Sequence, residues 1–127
     1  MNIVLWIVQG LLAAVFLMAG GMKAAQSKAQ IKEKAGDALA WTDDFSELQV
    51  TGIGILELLA AFGLILPMLT GILPFLTPLA AVGLILTMIG AAFIHIRRAD
   101  GFQPVMINVV LLALALFVVI GRFNLFG

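Results

Sequence analysis

The chain contains no cysteine and no tyrosine, and only 11% of its 127 residues are charged. Without cysteine it cannot itself carry thiol–disulfide chemistry, an iron–sulfur cluster or a thiolate metal site. Without tyrosine, no tyrosyl role is available. The seven basic and seven acidic residues give a net charge of zero, so the chain lacks the basic surface typical of a nucleic-acid-binding protein.

Hydrophobic residues make up 63% of the chain, and the mean hydropathy is +1.18. A soluble domain is usually about 45–50% apolar and about 25% charged. The excess of apolar residues is too large for a buried core alone, so the composition predicts a protein whose surface lies in a lipid bilayer. The length suits a single membrane domain covering residues 1–127.

Four long apolar runs, at about 2–22, 48–66, 74–96 and 104–120, each approach the roughly 20 residues that a membrane-crossing helix needs. No Lys or Arg precedes the first run, which favours a retained helix over a secretory signal peptide. Pro67 directly follows the second run, and Pro104 opens the fourth. The predicted fold is therefore all-α: a polytopic integral membrane protein built as an antiparallel bundle of four transmembrane helices.

Residues 23–47 form the only substantially polar stretch and are predicted to be a structured cytoplasmic loop. Trp41 lies where an aromatic residue at the membrane interface is expected, and we interpret it as an interface anchor. Ser46 followed by Gln49 has the spacing of a capping box at the start of the second helix.

The distribution of Lys and Arg predicts the orientation of the bundle. One face of the predicted bundle holds six of the seven basic residues, namely Lys23, Lys28, Lys32, Lys34, Arg97 and Arg98. The opposite face holds only Arg122. This bias places both charged loops in the cytoplasm and both termini outside, which in a bacterial cell means a multi-pass protein of the inner membrane.

Glu57 is an acid in the middle of the second apolar run, where an ionisable group is expensive and often functional. At about 1.5 Å of rise per residue, Glu57 and Asn108 fall in the cytoplasmic half of the bilayer. Lys23, His95 and Arg97 lie near its edge, whereas the outer half shows no acid or base. The sequence therefore predicts a polar cluster in a cavity that opens toward the cytoplasm, made of Glu57, His95, Asn108, Lys23 and Arg97.

Several roles are open for these side chains. Glu57 is either a structural acid, paired with Lys23 or Arg97 or accepting from Asn108, or a neutral group, or a working group that binds a cation or passes a proton. His95 is either a snorkelled or loop-bonded residue at the interface, or a proton relay or ligand-binding group. A metal site is disfavoured because His95 and Glu57 alone supply too few ligands.

No motif for nucleophilic catalysis, nucleotide binding or metalloprotease chemistry is present. The sequence therefore does not by itself indicate an enzyme, and we assign no catalytic residue.

Five features occur in a recognisable order along nearly the whole chain. They are A-G-G-M-K at 19–23, Trp41, G-I-L-E-L-L-A-A-F-G-L-I-L-P at 54–67, G-A-A-F-I-H-I-R-R at 90–98, and Pro104. In this order the chain resembles the DoxX-like family of small four-helix bacterial membrane proteins. By motif position, Lys23, Glu57 and His95 match the recurrent polar residues of that family.

The resemblance implies a connection to membrane oxidoreductase systems, because some relatives are linked to thiosulfate:quinone oxidoreductase subunits and to an oxidative-stress complex. Distant animal relatives assist the assembly of nicotinic receptors. No redox residue or cofactor motif accompanies the match in this chain.

Three functions remain in competition. The first is a protein that binds a small lipophilic molecule, a quinone or a lipid-like compound, as an accessory subunit of a redox or stress-response system. The second is an assembly factor or structural partner of another membrane protein, with a homo-oligomer left open. The third is a small proton-coupled transporter, although the small multidrug-resistance exporters of this size carry their essential acid in the first span.

Overall fold

A computed structural model describes residues 2–25, 30 and 45–126, with side chains as far as Phe123. The helices in this part of the chain are α1 (Asn2–Ala25), α2 (Glu47–Thr70), α3 (Leu76–Arg98) and α4 (Phe102–Phe126). Each is long and apolar enough to cross a membrane, and no strand occurs among the described residues. The predicted all-α architecture with four transmembrane helices is confirmed.

The helices form a closed four-sided bundle in which neighbours in sequence are antiparallel. α1 packs most extensively on α2 and α3 on α4, while contacts of α2 with α3 and of α1 with α4 close the ring. The end of α1, the start of α2 and the connection 99–101 lie at one end of the bundle, which we call the loop face. The start of α1, the end of α4 and the connection 71–75 lie at the other end, the terminal face.

Buried residues follow a spacing of three and four along each helix, as expected for antiparallel helices packed at a shallow angle. In α2 the buried positions are Val50, Gly54, Glu57, Ala61 and Leu64. In α4 they are Asn108, Ala115, Val118 and Arg122. Polar side chains therefore occupy the same inward seam as the apolar core.

The start of α2 is set by the predicted capping box. The Ser46 hydroxyl accepts from the backbone N–H of Gln49 at 3.1 Å, and the Gln49 side chain accepts from the Ser46 N–H at 2.9 Å. These two bonds satisfy N–H groups that have no partner within the helix. The predicted capping box is confirmed.

The end of α2 differs from the sequence interpretation, which ended the second run at Leu66. The helix continues through Pro67 to Thr70 and ends at Gly71 in a left-handed conformation, φ 73°. Pro67 has no N–H and cannot bond the carbonyl of Gly63 four residues earlier. The hydroxyl of Thr77 in α3 donates to that carbonyl at 2.9 Å, which allows the helix to continue.

α1 and α2 approach most closely at a pair of glycines. A Cβ built on Gly54 would lie 2.7 Å from the carbonyl oxygen of Gly20 and 2.6 Å from the backbone nitrogen of Ala24. A Cβ on Gly20 would lie 2.7 Å from the carbonyl oxygen of Gly54. No larger residue fits at either position without separating the helices, as small residues at membrane helix crossings predict.

Candidate functional site: a polar cavity at the loop face

A buried ion pair joins α1 to α2 across the glycine crossing. Lys23 and Glu57 each lie one helical turn after one of the two glycines, and the Nζ of Lys23 donates to Oε1 of Glu57 at 2.7 Å. Both side chains are buried. Among the partners that the sequence left open for Glu57, the structure selects Lys23.

A cavity of about 370 Å³ lies beside this pair and is lined by residues from all four helices. Its walls are mainly apolar, with Phe16 from α1, Ile53 from α2, Met88 from α3 and Leu111 from α4. The polar groups on its lining belong to Lys23, Glu57, Thr87, His95 and Asn108. The cavity therefore has an apolar body and a polar end close to the loop face.

Asn108 carries a buried side-chain amide nitrogen, Nδ2, that has no hydrogen-bond partner in the described part of the chain. The residue is 8% exposed and lines the cavity from α4. A buried donor without a partner costs about 1–3 kcal/mol. A hydrogen-bond acceptor placed in the cavity would offset this cost.

His95 is oriented by the short connection that follows α3. Its Nδ1 lies 2.8 Å from Oδ2 of Asp100, and Nε of Arg98 donates to the same oxygen at 3.0 Å. An ionised carboxylate only accepts hydrogen bonds, so Nδ1 of His95 carries the proton and Nε2 is the ring nitrogen available to the cavity. The hydrogen bond from His95, followed by the bond and charge of Arg98, holds the pKa of Asp100 below its usual range.

One of the predicted site residues, Arg97, does not line this cavity. Arg97 is exposed and lies in a separate groove with Phe45 and Arg98. His95 and Arg97 are two residues apart on α3 and so point to nearly opposite sides of the helix. The prediction that Arg97 joins the cluster was therefore wrong, and Trp41, the predicted interface anchor, lies outside the described residues.

The sequence matches the model of the DoxX-like family over residues 7–118. The chain belongs to the DoxX-like family. The match covers both members of the ion pair and the three polar residues contributed by α3 and α4, so the cavity of this DoxX-like protein lies entirely within the matched range. No curated protein and no solved structure matches the sequence.

Sequence reasoning missed a second buried polar cluster, which lies near the terminal face of this DoxX-like protein. Arg122 of α4 is fully buried, and its Nε donates to Oε1 of Gln9 in α1 at 2.5 Å. Nε2 of Gln9 in turn donates to the carbonyl oxygen of Leu64 in α2 at 2.5 Å. The sequence interpretation had placed Arg122 at the tail and had left this half of the bundle without a buried base.

The signal for Arg122 was present in the spacing of the fourth apolar run. Arg122 lies seven residues after Ala115 and fourteen after Asn108, which places all three on the inward seam of α4. Extending that seam past the end of the apolar run would have predicted an inward-facing arginine. Gln9, which is seven residues before Phe16 and fourteen before Lys23, lies on the corresponding seam of α1.

Among the described residues, no three His, Asp or Glu side chains converge in a way that could hold a metal ion. The cavity of this DoxX-like protein instead offers one ion pair, one oriented imidazole and one amide donor. This set suits binding of an uncharged molecule with a polar end through hydrogen bonds.

Proposed function

We propose that this protein binds a small lipophilic molecule, a quinone or a lipid-like compound, in the cavity beside Glu57, and acts as an accessory subunit of a membrane redox or stress-response system. The observation that carries the proposal is the buried Nδ2 of Asn108, a donor that points to an acceptor supplied by a ligand.

The size and lining of the cavity support a small-molecule ligand. Binding pockets for small molecules have volumes of about 300–1,000 Å³, mostly apolar walls and a few convergent polar groups. The cavity volume of about 370 Å³ falls at the lower end of that range. It suits a ring or a short chain rather than a whole phospholipid.

The polar groups define what the ligand presents. Asn108 Nδ2 requires an acceptor such as a carbonyl oxygen, and a neutral His95 offers Nε2 as an acceptor for a hydroxyl group. A molecule with a carbonyl or hydroxyl group on an apolar ring satisfies both side chains. Quinones and quinols have this chemistry.

A purely structural role for the polar cluster accounts for fewer of the contacts. The ion pair between Lys23 and Glu57 satisfies itself and can stabilise the packing of α1 on α2 without a ligand. It provides no hydrogen-bond partner for the amide of Asn108, and it does not account for the cavity beside that amide. Ligand binding accounts for the pair, the amide and the cavity together.

Mass spectrometry of the purified protein tests the proposal. The protein is extracted in a mild uncharged detergent, and co-purifying lipophiles are quantified per chain for the wild type, Asn108→Leu and Glu57→Gln. We expect a defined lipophile in the wild type and about tenfold less in Asn108→Leu, because the substitution removes a hydrogen-bond donor at similar volume.

The matched pair His95→Gln and Arg97→Gln serves as the control. Both substitutions change a residue near the end of α3, but only His95 lines the cavity. Retention should fall in His95→Gln and stay at the wild-type level in Arg97→Gln. Absence of any co-purifying lipophile, or equal retention in Asn108→Leu and the wild type, would overturn the proposal.

The loop face is proposed to lie in the cytoplasm of a bacterial cell, with both termini outside. The basic residues that support this orientation are Lys23, Lys28, Lys32, Lys34, Arg97 and Arg98, against Arg122 alone near the terminal face. Arg97 and Arg98 end α3 at the loop face, and Lys28, Lys32 and Lys34 lie between α1 and α2 in the sequence, so the bias supports a cytoplasmic position for this face. Because the chain has no cysteine, Ala99→Cys and Ile72→Cys can each be labelled without background, and only Ile72→Cys should react with an impermeant reagent added to intact cells.

A partner subunit is part of this proposal, and the outer surface does not identify its docking site. Many large apolar side chains are exposed on every helix, as contact with lipid requires. Cross-linking in native membranes should capture one dominant oxidoreductase subunit. Capture of several unrelated proteins, or of further copies of this chain alone, would contradict the accessory role while leaving ligand binding intact.

A further inference from the structure

The guanidinium of Arg122 is fully buried near the terminal face and is held by neutral groups. Its Nε donates to Oε1 of Gln9 at 2.5 Å, and its Nη1 donates to Oδ1 of Asn2 at 2.6 Å. The ring of Trp6 lies beneath it, with 5.1 Å between Cζ and the ring centroid. These three contacts orient the cation and shield it, but none supplies a negative charge.

The charge of Arg122 is therefore uncompensated within the described part of the chain. No carboxylate among the described residues contacts it, and its Nη2 is buried without a hydrogen-bond partner. A guanidinium keeps its charge in proteins, and a buried charge without a counter-ion is strongly unfavourable. The N–H groups of Nη2 and the second N–H of Nη1 are positioned to donate hydrogen bonds to two oxygens of one anion.

The position of Arg122 in the bundle indicates which anion lies close to it. Arg122 lies four residues before the end of α4 at Phe126, which places it near the level at which a bilayer changes from acyl chains to headgroups. Asn2, which contacts Nη1, is exposed at the rim of the terminal face. The headgroup region lies next to this rim, and phosphate is its abundant anion.

The geometry points to a phosphate-binding site at the terminal face, in which Arg122 is the binding residue. Gln9 and Asn2 orient its guanidinium, and the ring of Trp6 packs against it. The ligand is a phosphate group, carried by an anionic phospholipid headgroup or free as inorganic phosphate. Arg122 lies beyond the residues matched by the family model, and the site is at the opposite end of the bundle from the loop-face cavity.

Occupation of this site should stabilise the bundle as a whole. Arg122 belongs to α4 and Gln9 to α1, and the amide of Gln9 bonds the carbonyl of Leu64 in α2. An anion that neutralises Arg122 would stabilise a connection among these three helices. Thermal stability is therefore a direct readout of binding.

The test uses the full chain, stripped of lipid in an uncharged detergent. Its melting temperature is measured alone, with short-chain phosphatidylglycerol, with the matching diacylglycerol, and with inorganic phosphate. We expect phosphatidylglycerol to raise the Tm by about 5 °C at saturation and diacylglycerol to leave it unchanged. An equal rise with inorganic phosphate alone would support the site and assign it to a free anion.

Arg122→Gln should abolish the rise, and the exposed-arginine control Arg97→Gln should retain it. If Arg122→Gln does not fold, Arg122→Lys keeps the charge but loses the paired N–H donors, and its apparent affinity for the phosphate ligand should fall by about tenfold. Asn108→Leu, at the other end of the bundle, should leave the rise intact, which separates this site from lipophile binding.

Two results would overturn the inference. The first is a wild-type Tm that responds to neither phosphatidylglycerol nor inorganic phosphate. The second is a rise that persists at full size in Arg122→Lys and Arg122→Gln, because the phosphate would then be binding elsewhere.

Discussion

Lys23 and Glu57 meet at 2.7 Å across the closest approach of α1 and α2, and each lies one helical turn after the glycine of its own helix, Gly20 or Gly54. The two glycines bring the helix backbones close enough for a lysine and a glutamate to face each other within the bundle. The pair in turn forms one side of the loop-face cavity. Packing and polar chemistry are therefore coupled at this end of the molecule, and the first two predictions separate them.

Lys23→Met should destabilise the protein by about 3–5 kcal/mol, because it leaves the carboxylate of Glu57 buried without its base. The double variant Lys23→Met/Glu57→Leu should recover much of that loss, since no buried charge remains. The free energy of unfolding, measured by denaturant titration in mixed micelles, checks both values. Equal losses of unfolding free energy in the single and double variants would show that Lys23 and Glu57 are not coupled. The control Arg97→Gln should stay within about 0.5 kcal/mol of the wild type.

Gly54→Ala should cost about 1–3 kcal/mol, because the new methyl group meets backbone atoms of α1 that cannot rotate away. The same substitution should reduce lipophile retention, since separating α1 from α2 displaces Glu57. Gly52→Ala is the matched control: it is on the same helix, and an added Cβ there has nothing within 4 Å. Thermal unfolding of the two variants should differ clearly, and equal melting temperatures would refute the tight crossing.

Thr77→Val should cost about 1–3 kcal/mol, because it removes the donor to the Gly63 carbonyl that Pro67 leaves without a backbone partner. In a Pro67→Ala background the backbone N–H returns, and the effect of Thr77→Val should shrink. A double-mutant cycle of unfolding free energies measures this coupling. Thr87→Val is the control, since the Thr87 hydroxyl donates to the carbonyl oxygen of Gly83 within its own helix. Additive effects of the Thr77 and Pro67 substitutions on the free energy of unfolding would contradict the interpretation.

The contact between His95 and Asp100 should make stability depend on pH in the acid range. The pKa of Asp100 is lowered from its ordinary value of about 3.9, first by the hydrogen bond from His95 and then by Arg98. A folded-state pKa below the unfolded one stabilises the protein above about pH 4, and this contribution is lost as the pH falls through the folded-state pKa.

Unfolding free energies of the wild type and Asp100→Asn, compared between about pH 3 and pH 7, test this dependence. The difference should be constant near neutral pH and should shrink toward the acid end. A difference that stays constant across the whole range would contradict it. The difference between the wild type and Arg97→Gln, a change at an exposed residue two positions after His95, should stay constant over the same range.

The predictable part of the site was the set of polar residues at membrane depth. Glu57, His95 and Asn108 are rare polar residues in apolar runs, and the helical rise alone places them near one another in depth. Depth does not give rotation about the helix axis, which is why Arg97 was wrongly grouped with His95. Rotation depends on which face each helix buries, and that face is set by packing against three other helices.

The end of α2 was mispredicted for a related reason. Proline normally ends or kinks a helix because it leaves a carbonyl without a partner. Whether the chain tolerates that loss depends on a donor from elsewhere, and here the donor is Thr77. Nothing in the local sequence around Pro67 predicts this hydrogen-bond donor.

The sequence by itself determined that the chain forms four membrane-crossing helices, because the length and hydropathy of a span are local properties of the sequence. It also determined that Glu57 needs a partner, since the cost of a buried acid does not depend on the fold. Only the tertiary structure decided that the partner is Lys23, that an unpaired amide of Asn108 faces a cavity, and that Arg122 points inward. These outcomes depend on how the helices cross and rotate against one another, which is fixed by contacts between residues far apart in the chain.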